Sequence, residues 1–234
     1  MPDIVMDAMG HVHCTWRDKR TGEFQTYFAL DESVKSVVNV LTPNGEEVFA
    51  TGNEVTIGWD ALAQAVSFDL YYSVDEGVTW KEIVVDWNGS PYGWTIPALN
   101  GNKKQSFIKV VGFDAEGNQV GGDRSDKAFA IEVVRVTYPS EPDISWTSGI
   151  EETIQWVVYP TKSSVETVEI YMTKDGGSTW TLLYKLPGDY RSIAWTPEVG
   201  KERKQCKVKA VLKDIKGNKI GIDSSDNNFT MKLP

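Results

Sequence analysis

Cysteine is nearly absent. The 234 residues hold two, Cys14 and Cys206, with no CxxC pair and no metal-ligand spacing. The expectation is two buried free thiols; a disulfide between them would require the first segment to lie on the last domain. Histidine is as scarce, and His11 and His13 sit side by side, so a Ser–His–Asp arrangement has one place to form and no nucleophile motif. P-loop, GxGxxG and HExxH patterns are missing. No run of eighteen apolar residues occurs, so no helical membrane span is expected. No stretch shows sustained helical periodicity. Basic residues are outnumbered, 24 against 33 acidic, for a net charge of −9. That balance disfavours nucleic acid and anionic membrane surfaces and mainly favours solubility. The opening MPDIVMDAMG has neither a basic region nor an apolar core of the secretory type. Either a mature chain begins here or the sequence is a piece of something longer.

What is present is a duplication. SVDEGVTW (73–80) returns as TKDGGSTW (173–180), with Asp75, Gly77, Thr79 and Trp80 in step with Asp175, Gly177, Thr179 and Trp180. The register continues through Gly117/Gly217, Asn118/Asn218, Gly121/Gly221, Asp123/Asp223, Ser125/Ser225 and Phe129/Phe229. Upstream it slips by three, so that Trp59 meets Trp156, as a loop insertion would produce. Two copies of one unit of about a hundred residues follow, each of single-domain size.

Each copy reads as all-β. EVTIGWD, SFDLYYS, TWKEIVV, YGWTIP, QSFIKVVGFD and DKAFAIEVV alternate, are rich in Val, Ile and aromatics, and are separated by Gly, Asn, Asp and Pro at about ten-residue spacing. The expected architecture is two tandem Ig-like β-sandwiches, residues 37–134 and 135–234, after an N-terminal three-stranded β segment, 1–36. IEVVRVTYPS leaves almost no linker between the copies, which predicts a stiff tandem. In QCKVKAVLKD the period of two puts Cys206, Val208, Ala210 and Leu212 toward the core and the lysines outward. Carried across, Ile108 and Val110 point inward. Phe107, Val111 and Phe113 then form an outward apolar stripe. It reads equally as an interface for the N-terminal segment or another chain, and as scattered surface apolars.

Ser-x-Asp-x-Gly-x-Thr-Trp resembles the Asp-box, a hairpin motif of sialidase-type β-propellers that also occurs in Ig-like and fibronectin-like modules. The resemblance implies structural roles: Asp75 and Asp175 cap turn N–H groups, Gly77 and Gly177 take positive φ, and Trp80 and Trp180 fold back on the sheet. Over roughly 37–234 the chain resembles the Ig-like repeats of bacterial and archaeal surface proteins. TPNGE (42–46) departs by one Gly from their usual Pro-Asn-Gly-Gly-Glu opening, and the second copy keeps only Pro139 nearby. Such repeats are mostly spacers, stalks and adhesive modules. Residues 1–36 are similar to one blade of an Asp-box propeller. A few strands alone cannot bury a face, so the segment must lean on its own chain, on a neighbouring subunit by strand addition, or on a propeller cut away upstream. Sialidase activity would need an arginine cluster, and the six arginines are dispersed.

Three further sites are weighed against bland alternatives. Asp114, Asp123 and Asp126, repeated as Asp214, Asp223 and Asp226, would suit calcium, although EF-hand spacing is absent and turn capping explains them as well. Trp87, beside Tyr92 in DWNGSPYGW, lacks a repeat partner and would stack on a sugar ring or act as a hydrophobic lid. His11 and His13, two apart on one strand, would hold a metal or present a polar face. The expectation is therefore a non-enzymatic extracellular structural or adhesive module, with a protein partner or self-association into a surface filament. The competing expectation is a carbohydrate-binding accessory region of a secreted glycoside-active enzyme.

Overall fold

The computed structural model describes residues 37–234 in full and, before them, the backbone of three strands, β1 (Asp3–Met6), β2 (Val12–Asp18) and β3 (Gln25–Asp31). These three pair antiparallel in the order β1-β2-β3. His11 and the side chains of His13, Cys14 and Trp16 lie outside the described residues, as do the readings placed on them.

Among the described residues, everything else that is regular is also strand. The first copy contributes β4 (Val38–Thr42), β5 (Val48–Ala50), β6 (Glu54–Ala61), β7 (Ser67–Ser73), β8 (Lys81–Trp87), β9 (Tyr92–Thr95), β10 (Lys103–Phe113), β11 (Gln119–Arg124) and β12 (Phe129–Glu132). The second contributes β13 (Val134–Tyr138), β14 (Ser145–Thr147), β15 (Glu152–Val158), β16 (Thr167–Thr173), β17 (Thr181–Pro187), β18 (Ser192–Trp195), β19 (Arg203–Lys213), β20 (Lys219–Ser224) and β21 (Phe229–Lys232). Among the described residues no helix is long and apolar enough to cross a membrane.

Sheet orders repeat with an offset of nine strands. β4-β6-β9 becomes β13-β15-β18, and β5-β12-β10-β7-β8, with β11 on β10, becomes β14-β21-β19-β16-β17, with β20 on β19. The chain is thus all-β, two β-sandwiches in tandem. The period of two decides which faces meet. On β6, Val55, Ile57 and Trp59 are buried while Glu54 and Thr56 are exposed. Trp59 reaches the opposing sheet and meets Phe68 edge-to-face with ring centroids 5.1 Å apart. In the second copy Trp146, fully buried on β14, sits between Phe229 at 4.4 Å and Trp195 at 5.8 Å, and its Nε1 donates to Tyr138 Oη at 3.2 Å. Ile108, Val110, Cys206, Val208, Ala210 and Leu212 are all fully buried, as the alternation requires.

Contacts divide the chain into two compact units, 1–47 with 54–94 and 104–130, and 48–53 with 95–103 and 131–234. Within the second unit, Asn102 Oδ1 accepts from the backbone N–H of Val133 and Val134 at 2.8 and 3.2 Å, and its Nδ2 donates to Val134 O at 2.8 Å. In the same unit Thr51 Oγ1 donates to Pro160 O at 2.7 Å, and Asn100 brackets Ser163 through both ends of its amide. These side chains satisfy backbone groups that would otherwise be left without partners at strand ends.

Candidate functional site

The twin octapeptides close the β7–β8 and β16–β17 hairpins. A buried hydroxyl is the hub of each. Ser73 Oγ accepts from Gly77 N at 2.9 Å and donates to Asp75 Oδ1 at 2.7 Å. Thr173 Oγ1 does the same toward Gly177 N, at 3.0 Å, and Asp175, at 2.6 Å. Each aspartate then receives the backbone N–H of the Thr before the Trp at 2.9 Å and that Thr's hydroxyl at 2.5 Å. Hydrogen bonds to the charged form favour it. The Thr79 hydroxyl, followed by the Thr79 N–H and the Ser73 hydroxyl, lowers the Asp75 carboxyl to about 2. The Thr173 and Thr179 hydroxyls hold Asp175 well below the usual range. A carboxyl kept ionised at neutral pH with both oxygens occupied is a poor general acid, and its base strength is spent.

Gly77 has φ +84° and Gly177 φ +102°, conformations that an L side chain rarely adopts. A Cβ at Gly77 would also lie 3.2 Å from Trp80 Cζ2, because the indole folds over its own turn. The ring is met from the sheet by a lysine. Lys109 Nζ lies 4.7 Å from the centre of the Trp80 ring and 4.8 Å from that of Tyr71. Sequence reasoning placed Lys209 outward but assigned neither it nor Lys109 a contact; the signal was there, since both copies carry Lys at this position while the outward neighbour Phe107 becomes Lys207.

The acidic residues weighed for calcium are distributed over separate tasks. Asp114 Oδ1 accepts from Glu116 N and Asn118 N at 3.1 and 2.8 Å, and Asp214 repeats this with Lys216 N and Asn218 N. Asp123 Oδ2 accepts from Val40 N at 2.8 Å and Asp223 Oδ2 from Val136 N at 2.7 Å. Both valines stand at β-bulges, where the ladder register shifts and an N–H is left over. Asp126 Oδ2 accepts from Asn44 Nδ2 at 2.9 Å, and Asp226 Oδ2 from Ser140 Oγ at 3.2 Å. Among the described residues no three His, Cys, Asp or Glu side chains come together as a metal group. The carboxylates are held apart because each is occupied by a different turn or bulge.

The outward stripe of Phe107, Val111 and Phe113 is not an open apolar surface. Phe107 is buried, with the Arg124 guanidinium 5.2 Å above its ring, and Val111 and Phe113 are half-buried. An arginine from the adjacent strand supplies both cover and a cation–π contact. In the second copy the same face carries Lys213, whose Nζ bonds buried Glu169 at 2.9 Å while Tyr171 Oη donates to the other carboxylate oxygen at 2.7 Å.

Trp87 is 38% exposed at the end of β8, and half-buried Tyr92 opens β9. Their rings meet edge-to-face, centroids 5.0 Å apart and planes at 79°. That geometry fixes the pair and leaves indole surface in solvent.

No protein-family model and no curated protein matches the chain. Among solved structures it is similar to the fibronectin(III)-like modules of Clostridium thermocellum CbhA, at 15% identity and a TM-score of 0.34, covering 84% of this chain and 94% of that one. It is similar also to the FN1–FN3 domains of chicken CNTN1, at 14% identity and a TM-score of 0.29, covering 95% and 74%. The three N-terminal domains of the bacteriophage RB49 outer capsid protein Hoc match at 12% identity and a TM-score of 0.28, covering 97% and 79%. The assignment of two sandwiches stands on the duplicated strand pairing itself.

Proposed function

We propose that this chain is a non-catalytic structural or adhesive module acting outside the cell, one that joins a protein partner or further copies of itself. One observation carries the reading: Asp75 and Asp175, the most strongly acidified carboxyls described, spend both oxygens on turn hydrogen bonds in the same way in both copies. Residues that would be obvious candidates for chemistry are instead fasteners, and function then rests on the surface of a repeated scaffold. Self-association is tested by size-exclusion chromatography and negative-stain microscopy across a concentration series. Concentration-dependent growth supports assembly, and a strict monomer at high concentration removes it.

A second reading draws on Trp87 and Tyr92. An exposed indole held by a tyrosine offers a stacking platform for a sugar ring, as a carbohydrate-binding accessory region would need. Binding on a glycan array that disappears with Trp87→Ala supports it; binding indifferent to that change argues against it.

A further inference from the structure

The two copies serve as internal controls for each other, and one difference beside the octapeptide turn changes the packing there. In the first copy Tyr72 is buried against Trp94, ring centroids 5.1 Å apart, and Lys81 Nζ lies 5.8 Å from the centre of the Tyr72 ring. The repeat register puts Met172 in the place of Tyr72, Thr181 in that of Lys81, and Trp195 in that of Trp94. A phenol ring and a long cationic side chain are thereby exchanged for a thioether and a short hydroxyl. The second copy has a pocket there of about 190 Å³. Met172, Leu183 and Trp195 line it together with the exposed Thr179, Thr181 and Lys174.

We infer that this pocket is a binding site for a single pyranose ring, the terminal sugar of a glycan. Size sets the first limit. A cavity of about 150 Å³ holds benzene, so the space here suits one six-membered ring with substituents rather than an extended ligand. Wall chemistry sets the second. A pyranose has an apolar C–H face and a polar rim. The pocket matches this with a half-buried indole and two aliphatic side chains beside exposed threonines and a lysine. Among the described residues the Thr181 hydroxyl has no partner, so it is available to a sugar hydroxyl. Lys174 Nζ donates once, to Glu198 O at 3.2 Å, and keeps further donors for the ligand, which favours a sugar bearing a carboxylate. Thr179 is already committed to Asp175, so it contributes shape more than a new bond. The inference is independent of the Trp87–Tyr92 platform, which lies in the other copy, and of the scaffold reading, which survives its failure.

The test is saturation-transfer NMR on the full chain with methyl β-glucuronide and methyl β-glucoside at millimolar concentration. Transfer is expected to both sugars and to be stronger for the glucuronide. Met172→Tyr with Thr181→Lys rebuilds the plug of the first copy and is expected to reduce the signal at least fivefold, with circular dichroism showing the fold intact. Should that pair disturb folding, Thr181→Lys alone, at an exposed position, is read instead and is expected to lower the signal. Trp87→Ala is expected to leave it unchanged. No transfer in the wild type, full transfer in the plugged variant, or loss with Trp87→Ala overturns the assignment.

Discussion

Lys209 Nζ lies 3.9 Å from the centre of the Trp180 ring and 5.0 Å from that of Tyr171. The ammonium contacts an aromatic from the hairpin turn and one from the neighbouring strand. Burial pushes the Lys209 pKa down, and the two ring faces offset part of that cost. The same pair of contacts joins Lys109 to Trp80 and Tyr71, farther from the indole at 4.7 Å and slightly nearer the phenol at 4.8 Å. The contact pins the turn to the outer face of the sheet. A double-mutant cycle of Lys209→Met and Trp180→Leu, read by urea denaturation, is expected to give a coupling of about 0.5–1 kcal/mol. Additive losses would remove the clamp.

Acid should loosen the first hairpin within a defined window. The folded pKa of Asp75 is lowered to about 2, below its unfolded value of about 3.9. A depressed folded pKa means that the stabilisation is fully present above the unfolded pKa and is lost as pH falls through the folded one. The melting temperature of the wild type should therefore fall between about pH 4 and pH 2. Asp75→Asn should be less stable at neutral pH and show a flatter acid limb. Equal acid limbs in the two proteins would contradict the assignment.

Glu76 sits at φ +62° where the second copy has Gly176 at φ +72°. The left-handed region costs an L residue roughly 1–2 kcal/mol, of which part is offset by the greater unfolded-state freedom of glycine. Glu76→Gly is expected to stabilise the protein by about 0.5–1 kcal/mol in chemical denaturation. A loss of stability would show that the Glu76 side chain makes a contribution of its own.

Ser106 and Cys206 share a fully buried repeat position, and among the described residues the Ser106 hydroxyl has no hydrogen-bond partner. Burial pushes the Cys206 thiol up to about 11, so it is inert, and its Sγ makes one weak donation to Arg203 O at 3.5 Å. Ser106→Cys removes a buried orphan polar group and is expected to stabilise by about 1 kcal/mol, whereas Cys206→Ser is expected to cost a similar amount. Matching thermal-denaturation shifts of opposite sign would be the check; shifts of the same sign would refute it.

The fold class was legible because it depends on order along the chain. Alternation on QCKVKAVLKD assigns Cys206, Val208, Ala210 and Leu212 to one face without reference to anything distant, and the recurring octapeptide marks two equivalent hairpins. Partners across strands were less legible. Phe107 could be placed outward by its parity, but its cover by Arg124 arises from a strand pairing that puts Lys109 opposite Arg124 and leaves Arg124 able to reach over. The acidic clusters fitted a ligand set and turn caps alike, because nearness along the chain does not say which side chains converge in space. The bulges at Val40 and Val136 draw Asp123 and Asp223 away to answer spare N–H groups.

What the amino-acid order determines by itself here is periodicity: short alternating strands, punctuated by glycine and aspartate turns, written twice. Those are local properties, governed by steric limits on φ and ψ and by which side of a pleat a residue occupies. Whether an aromatic face is filled or left open was decided only in three dimensions. Tyr72 and Met172 hold the same place in their strands, yet one closes against Trp94 and the other leaves about 190 Å³ beside Trp195, because packing is settled among side chains brought together from separate strands.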